Sequence, residues 1–194
     1  MRCAGIRRRE PRTPDVDYDA EFMPPAEADA MLAWLSAPGN VAWAQETFRI
    51  FGRTQPVPRL TAWCGDAGVT YRYTGLEHEC SGWPAPLEAA LARVRARAGV
   101  CFNFVLLNRY DDGSKHMGWH RDNEPGCQPT VASLSLGARR RFHVEQCHQT
   151  HRVDLDHGSL VVFNAFERHR LSPTKRAVGR RVNLTFRLIE RNAA

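Results

Sequence analysis

The spacing of apolar residues changes at Gly99, and that change limits what this chain can fold into. Before it, the spacing is helical. From Pro24 to Leu35, Met31, Leu32, Trp34 and Leu35 mark one stripe behind paired prolines that suit a first turn. From Pro86 to Ala98, Leu87, Leu91 and Val94 form a second stripe, Arg93, Arg95 and Arg97 face outward, and Gly99 is the stop. After Gly99 the period is two. The runs Val100 to Tyr110, Thr130 to Leu136, Arg141 to Glu145, His151 to Leu155, Ser159 to Phe163 and Arg181 to Ile189 read as strands separated by Gly, Asp, Asn and Pro turns. Helices followed by many short strands predict an α+β chain, mainly β, with a sandwich or jelly roll in its C-terminal part and the helices packed on it. The 194 residues contain no internal repeat, low-complexity tract or linker, so a single domain over 1–194 is expected. Residues 1–19 mix Arg, Pro, Asp and Gly without periodicity and read as a flexible arm.

Composition narrows the partners. A formal charge of +6 suits a protein that meets a polyanion, although a basic surface alone does not establish one. Six scattered cysteines without a CxxC pair point to a reducing compartment. No apolar run has the length of a signal peptide or membrane span. The expected setting is cytoplasmic, or nuclear if the source has a nucleus, with no membrane partner and a monomeric chain.

Chemistry concentrates in two segments. In Trp119-His120-Arg121-Asp122-Asn123-Glu124, the alternation of a strand would put His120, Asp122 and Glu124 on one face. His169, in Glu167-Arg168-His169-Arg170, supplies the third candidate ligand for a 2-His-1-carboxylate site, which holds iron(II) on one face and leaves other positions open. An H-x-D pair with a distant histidine is weak evidence, because chance can produce it. The strand Arg181-Val182-Asn183-Leu184-Thr185-Phe186-Arg187 is more specific. It reads either as an amphipathic strand with its charged side in water or as a fork of two guanidiniums for a small dicarboxylate.

Asn108-Arg109-Tyr110, His120-x-Asp122, His169 and the closing RVNLTFR together resemble the AlkB dioxygenases in order, spacing and local sequence, from about Phe48 to Ile189. The resemblance implies a double-stranded β-helix, or jelly roll, over residues 100–190, with a nucleotide-recognition region over 45–80. It implies iron(II) on His120, Asp122 and His169. It further implies that Arg181, Tyr110 and Asn108 hold the distal carboxylate of 2-oxoglutarate, and that Arg187 and Asn183 meet the carboxylate near the metal. The implied reaction uses O2 and 2-oxoglutarate to dealkylate bases such as 1-methyladenine and 3-methylcytosine, releasing succinate and formaldehyde. The cofactors would carry the chemistry, so no cysteine needs to be a nucleophile.

A damaged base must leave the stack to reach such a metal. By resemblance, Tyr73 stacks on the base opposite the ring of His120, and Glu124 approaches its polar edge; read alone, Tyr73 fits a core position and Glu124 a turn cap. Phe48-Arg49-Ile50-Phe51-Gly52-Arg53 looks like the hairpin that pushes an apolar finger into a duplex, with Ile50, Phe51 and Gly52 at its end, whereas by itself it reads as a buried edge strand. The finger reading implies double-stranded DNA with a flipped base. His143, Cys147, His148 and His151 are dense enough to suggest zinc, but their spacing fits no familiar finger. An oxygenase acting on RNA or a non-nucleic-acid substrate, and a basic binding module without chemistry, are the competing functions; the complete triad and both arginines argue against the module.

Overall fold

A computed structural model describes residues 16–50, 53–73, 76–147 and 149–190, with the side chains at 48–50, 53, 54, 72, 73, 76 and 78 outside that description. Two helices, α1 (Pro25–Ser36) and α2 (Ala85–Ala98), accompany fourteen strands among the described residues. The strands are β1 (Asp17–Asp19), β2 (Thr47–Ile50), β3 (Arg53–Pro56), β4 (Leu60–Gly65), β5 (Thr70–Tyr73), β6 (Leu76–Glu79), β7 (Phe104–Tyr110) and β8 (Met117–His120). The remainder are β9 (Thr130–Gly137), β10 (Arg140–Gln146), β11 (Gln149–Leu155), β12 (Leu160–Asn164), β13 (His169–Leu171) and β14 (Arg181–Arg187).

Two antiparallel sheets make the expected jelly roll, a six-stranded one in the order β1-β12-β9-β14-β7-β4 and a four-stranded one in the order β11-β10-β13-β8. The alternation of β14 explains the layering. Val182, Leu184 and Phe186 face outward and pack with Leu35, Leu87, Leu91 and Val94 of the helices. Between the sheets lies a smaller apolar cluster that includes Phe142, Phe163 and Leu171. At about 25 cal/mol per Å² of apolar surface removed from water, closing both faces of the larger sheet is the principal driving force for this arrangement.

Both helices have proline at the N-cap, Pro24 and Pro84, and so no side-chain cap hydrogen bond. Gly99 ends α2 at φ 66 with its N–H bonded to the Arg95 carbonyl, a left-handed turn that a residue with a Cβ makes at a cost. The outward arginines of α2 do more than meet water: Arg93 pairs with Glu27, Arg95 donates to the Phe102 carbonyl, and Arg97 makes a bidentate pair with Asp17.

Several elements differ from the sequence expectation. The arm does not extend to Asp19, because β1 pairs with β12 and Tyr18 donates its hydroxyl to the Asp154 carbonyl at 2.8 Å. Residues 1–15 lie outside the described residues. The larger sheet is not confined to 100–190, since β4, from the segment assigned to nucleotide recognition, forms its other edge beside β7. β7 starts at Phe104 rather than Val100, and β14 stops at Arg187, beyond which Ile189 makes a single bridge to Cys127. No helix among the described residues is long and apolar enough to cross a membrane.

Candidate metal centre

His120 ends β8 and His169 opens β13, and the register places the two directly opposite each other. Their ring centroids are 4.2 Å apart. Asp122 reaches them from irregular chain, because β8 stops at His120 and residues 121–124 are not a strand. The expected alternation of His120, Asp122 and Glu124 along one strand is therefore incorrect. Convergence comes instead from a turn of the chain fixed by the Asp122 N–H donating to the Ala165 carbonyl at 2.9 Å. Asp122 Oδ1 lies 3.6 Å from His120 Nε2, and Oδ2 lies 3.4 Å from His169 Nε2. One ligand atom from each of the three lies within 4.8 Å of the others, the only such grouping among the described residues.

The second nitrogen of each ring sets its tautomer. His120 Nδ1 is 2.8 Å from the Gly118 carbonyl and His169 Nδ1 is 2.9 Å from the Glu167 carbonyl. A ring that donates from Nδ1 leaves the Nε2 lone pair for a metal, and both Nε2 atoms point toward Asp122. Burial, reinforced by His169, holds the His120 imidazole below its ordinary value and so favours the neutral, ligating form. Burial alone would push the Asp122 carboxyl up, but Arg187 and both histidines outweigh it and hold it well below the carboxylate range. Phe163 and Phe142 pack against the His169 ring at 5.0 and 5.9 Å.

The far wall is built by register. Across β14, β7 and β9, directly opposed residues share a face: Arg181 with Tyr110 and Gly137, Asn183 with Asn108 and Ser135, Thr185 with Ser133. All five residues expected to bind cosubstrate, Asn108, Tyr110, Arg181, Asn183 and Arg187, thus line one cavity with the triad. The charged side of β14 is not in water, because the second sheet covers it and every residue of the strand is buried.

The two arginines of this wall differ in their partners. Arg187 Nη2 lies 2.6 Å from Asp122 Oδ2, while Nε and Nη1 are buried without hydrogen-bond partners among the described residues. Arg181, 3% exposed, donates from Nη2 to Ser135 Oγ at 3.0 Å, stacks over the Tyr110 ring at 5.6 Å and leaves Nε unpartnered. No carboxylate pairs with it among the described residues, and burial pushes its guanidinium down to about 10. Buried donors without acceptors are costly, and a dicarboxylate ligand satisfies them. Asn183 is already engaged, donating to Ser133 Oγ at 2.6 Å and accepting from Thr185 Oγ1 at 2.8 Å.

Arg59 carries no signal in the sequence. It is buried in the cavity wall, and its Nε donates to Asn108 Oδ1 at 2.5 Å, which leaves the Asn108 amide nitrogen as the donor. Nothing around Pro58-Arg59 in the sequence marks it. Ser133 and Ser135 had a visible signal, since hydroxyls at every second position of the apolar run Val131 to Leu136 denote a polar inner face.

The base-recognition residues are only partly placed. Glu124 sits beside Tyr71 and Arg187 outside the cavity lining; burial pushes its carboxyl up, and one of its oxygens is buried without a hydrogen-bond partner among the described residues. Tyr73 ends β5 and Ile50 ends β2, where the register pairs it with Arg53, but both side chains lie outside the described residues, as do Phe51 and Gly52. Among the described residues the two-stranded sheet of β2 and β3 pairs with neither large sheet, so this segment is not an edge strand of the core. Of the residues considered for zinc, His143 bonds Ser172 at 3.1 Å, Cys147 occupies a positive-φ turn, and His148 lies outside the described residues.

The model of the 2OG-Fe(II) oxygenase superfamily matches residues 16–187. The "DNA oxidative demethylase ALKBH2" of Mus musculus is 40% identical over 157 residues, covering 73% of this chain and 66% of that protein. Its Homo sapiens counterpart is 40% identical with 60% of its length covered, and the Homo sapiens "Alpha-ketoglutarate-dependent dioxygenase alkB homolog 3" is 34% identical over 87% of this chain and 64% of that protein. The chain thus spans somewhat less than two thirds of the length of these relatives. A solved "Oxidoreductase, 2OG-Fe(II) oxygenase family, from Burkholderia pseudomallei" superposes with TM-score 0.57 at 15% identity, covering 85% of this chain and 82% of that one, which shows a shared fold.

Proposed function

Because this chain belongs to the 2OG-Fe(II) oxygenase superfamily, and within it to the AlkB family, we propose that it is an oxidative DNA dealkylase acting on N-alkylated bases such as 1-methyladenine and 3-methylcytosine. One observation carries this reading. A triad of two histidines and an ionised aspartate faces a wall of two buried arginines that keep three donor nitrogens without hydrogen-bond partners among the described residues. That donor set fits iron(II) on the triad and a dicarboxylate on the wall.

In this reading His120, Asp122 and His169 hold the iron, Arg181 with Tyr110 and Asn108 grips the distal carboxylate, and Arg187 meets the carboxylate nearer the metal. Asn183 acts through Ser133 and Thr185, whose positions it fixes, rather than by its own contact. When bound, iron and 2-oxoglutarate supply the oxidation: O2 is reduced, 2-oxoglutarate becomes succinate and carbon dioxide, and the N-alkyl carbon is hydroxylated and lost as formaldehyde. The protein orients and shields. Phe142, Phe163 and Leu171 keep water from the His169 side. His120 is the most exposed ligand, 30% against 5% for His169, so the base enters on its side.

The substrate proposed is duplex DNA with the target base flipped out, Tyr73 and the His120 ring flanking it and Glu124 at its polar edge. The β2–β3 hairpin, with Ile50, Phe51 and Gly52, fills the vacated stack. Among the described residues the hairpin is hydrogen-bonded into neither core sheet, which supports that role. The test is formaldehyde release from 1-methyladenine and 3-methylcytosine oligonucleotides as single strands and duplexes, with methylated RNA as a third substrate. Faster turnover of the duplex is expected; turnover of RNA alone would overturn the assignment to DNA.

A further inference from the structure

The outer face of the four-stranded sheet carries a cluster that the oxidation does not use. Residues opposed in register share this face: His143 lies between Arg152 and Arg170, and Arg141 is opposite Asp154. Trp119, on the neighbouring edge strand β8, has the Arg170 guanidinium over its ring at 4.8 Å and that of Arg168 at 5.2 Å, with His143 edge-on at 6.2 Å. Four arginines here meet two carboxylates. Asp154 pairs with Arg141 at 2.9 Å, and Glu145 meets Arg168 only at 3.4 Å. Arg152 and Arg170 have no ion pair among the described residues, and Arg170 Nε is buried without a hydrogen-bond partner. The imidazole of His143 is held down by burial and then by Arg170, Arg152 and Arg141, as expected beside uncompensated positive charge.

We propose that Arg168 and Arg170, held over Trp119, form a contact for the phosphodiester backbone of the nucleic-acid substrate, beside the opening at His120. This inference rests on the dealkylase reading. Stacking on an indole fixes a guanidinium plane while leaving its edge N–H groups free, so the cations are ordered before the polyanion arrives. A water-exposed arginine loses side-chain freedom on binding, and Trp119 removes part of that cost. Position gives the second argument. Trp119 is adjacent in sequence to His120, on an edge strand, so a strand whose target base enters at His120 must run past this edge. An acidic peptide is the competing occupant, but only an extended phosphate chain that delivers a base to the metal has reason to meet both features.

The experiment measures anisotropy of a labelled methylated oligonucleotide on the iron- and 2-oxoglutarate-loaded enzyme without O2, from 50 to 300 mM salt (~ the range over which phosphate contacts dominate). Losing two phosphate contacts lowers the slope of log affinity against log salt by roughly 1.4 on a single strand and roughly 1.8 on a duplex. The variant Arg168→Gln with Arg170→Gln is expected to show that loss, with affinity at low salt down by about tenfold or more. Arg168→Gln alone, a half-exposed position whose change spares the fold, is expected to show about half the slope change. Arg93→Gln, on the helix side, is the control and leaves the slope unchanged. An unaltered slope in both variants overturns the inference while wild-type turnover of the same oligonucleotide leaves the dealkylase reading intact. Polyglutamate competing as well as the oligonucleotide also overturns it. A wild-type enzyme that neither binds nor demethylates any oligonucleotide defeats the functional reading, and this inference with it.

Discussion

Arg187 and Asp122 form a buried ion pair, Nη2 to Oδ2 at 2.6 Å, in which the aspartate is also the carboxylate of the metal triad. The pair keeps the ligand ionised inside the protein and leaves two further guanidinium nitrogens for another acceptor.

Arg187→Ala therefore removes one partner of a buried pair, a change that costs about 3–5 kcal/mol. The variant is expected to melt well below wild type without metal, and a divalent ion, which takes over as counter-charge to Asp122, is expected to recover part of the loss. The apparent affinity for 2-oxoglutarate falls by well over tenfold, consistent with about 1.5–3 kcal/mol for a hydrogen bond to a charged group. Thermal unfolding with and without manganese(II), together with a cosubstrate titration, checks both; an unchanged titration would place the cosubstrate elsewhere.

Arg181→Met predicts the opposite stability sign. Arg181 is buried with no carboxylate partner among the described residues, and replacing an uncompensated buried charge by an apolar side chain of similar length relieves desolvation. Without ligand the variant is expected to melt at or above wild type. Wild type gains about 2.7 kcal/mol from 2-oxoglutarate at one hundred times its Kd, and the variant gains little at the same concentration. A large loss of melting temperature without ligand would show that Arg181 is a structural tie.

The hairpin prediction separates function from packing. If Ile50 and Phe51 hold open a flipped-base stack, replacing both with Ala lowers turnover on a duplex much more than on a single strand, because only the duplex opposes unstacking, at a few kcal/mol. Equal fractional losses on both substrates, with a lower melting temperature, would mean that the pair is core instead.

How much of this was legible from sequence depended on whether the signal was local. The helices at Pro25 and Ala85 and the strand at Arg181 carry their periodicity and stop residues with them, and the structure has them within a few positions. β1 was not legible, because Asp17-Tyr18-Asp19 has no apolar alternation and is held by Arg97 and by β12, both distant in sequence. Convergence of His120 and Asp122 was read correctly for the wrong reason, since the chain turns after β8 where a strand was expected. Arg59 was invisible because its role exists only once β4 lies beside Asn108. The burial of the charged face of β14 likewise depended on the second sheet, which no property of the strand itself announces.

In the proposed function, the triad and the arginine wall together couple 2-oxoglutarate oxidation to removal of a base alkyl group. Measuring succinate and formaldehyde in parallel on a 3-methylcytosine oligonucleotide, in wild type and in His169→Ala, tests it most directly. Equal amounts of the two products, both requiring iron(II) and both lost in the variant, are predicted. Formaldehyde released at the wild-type rate by His169→Ala, or succinate formed with no formaldehyde from any methylated oligonucleotide, would contradict it.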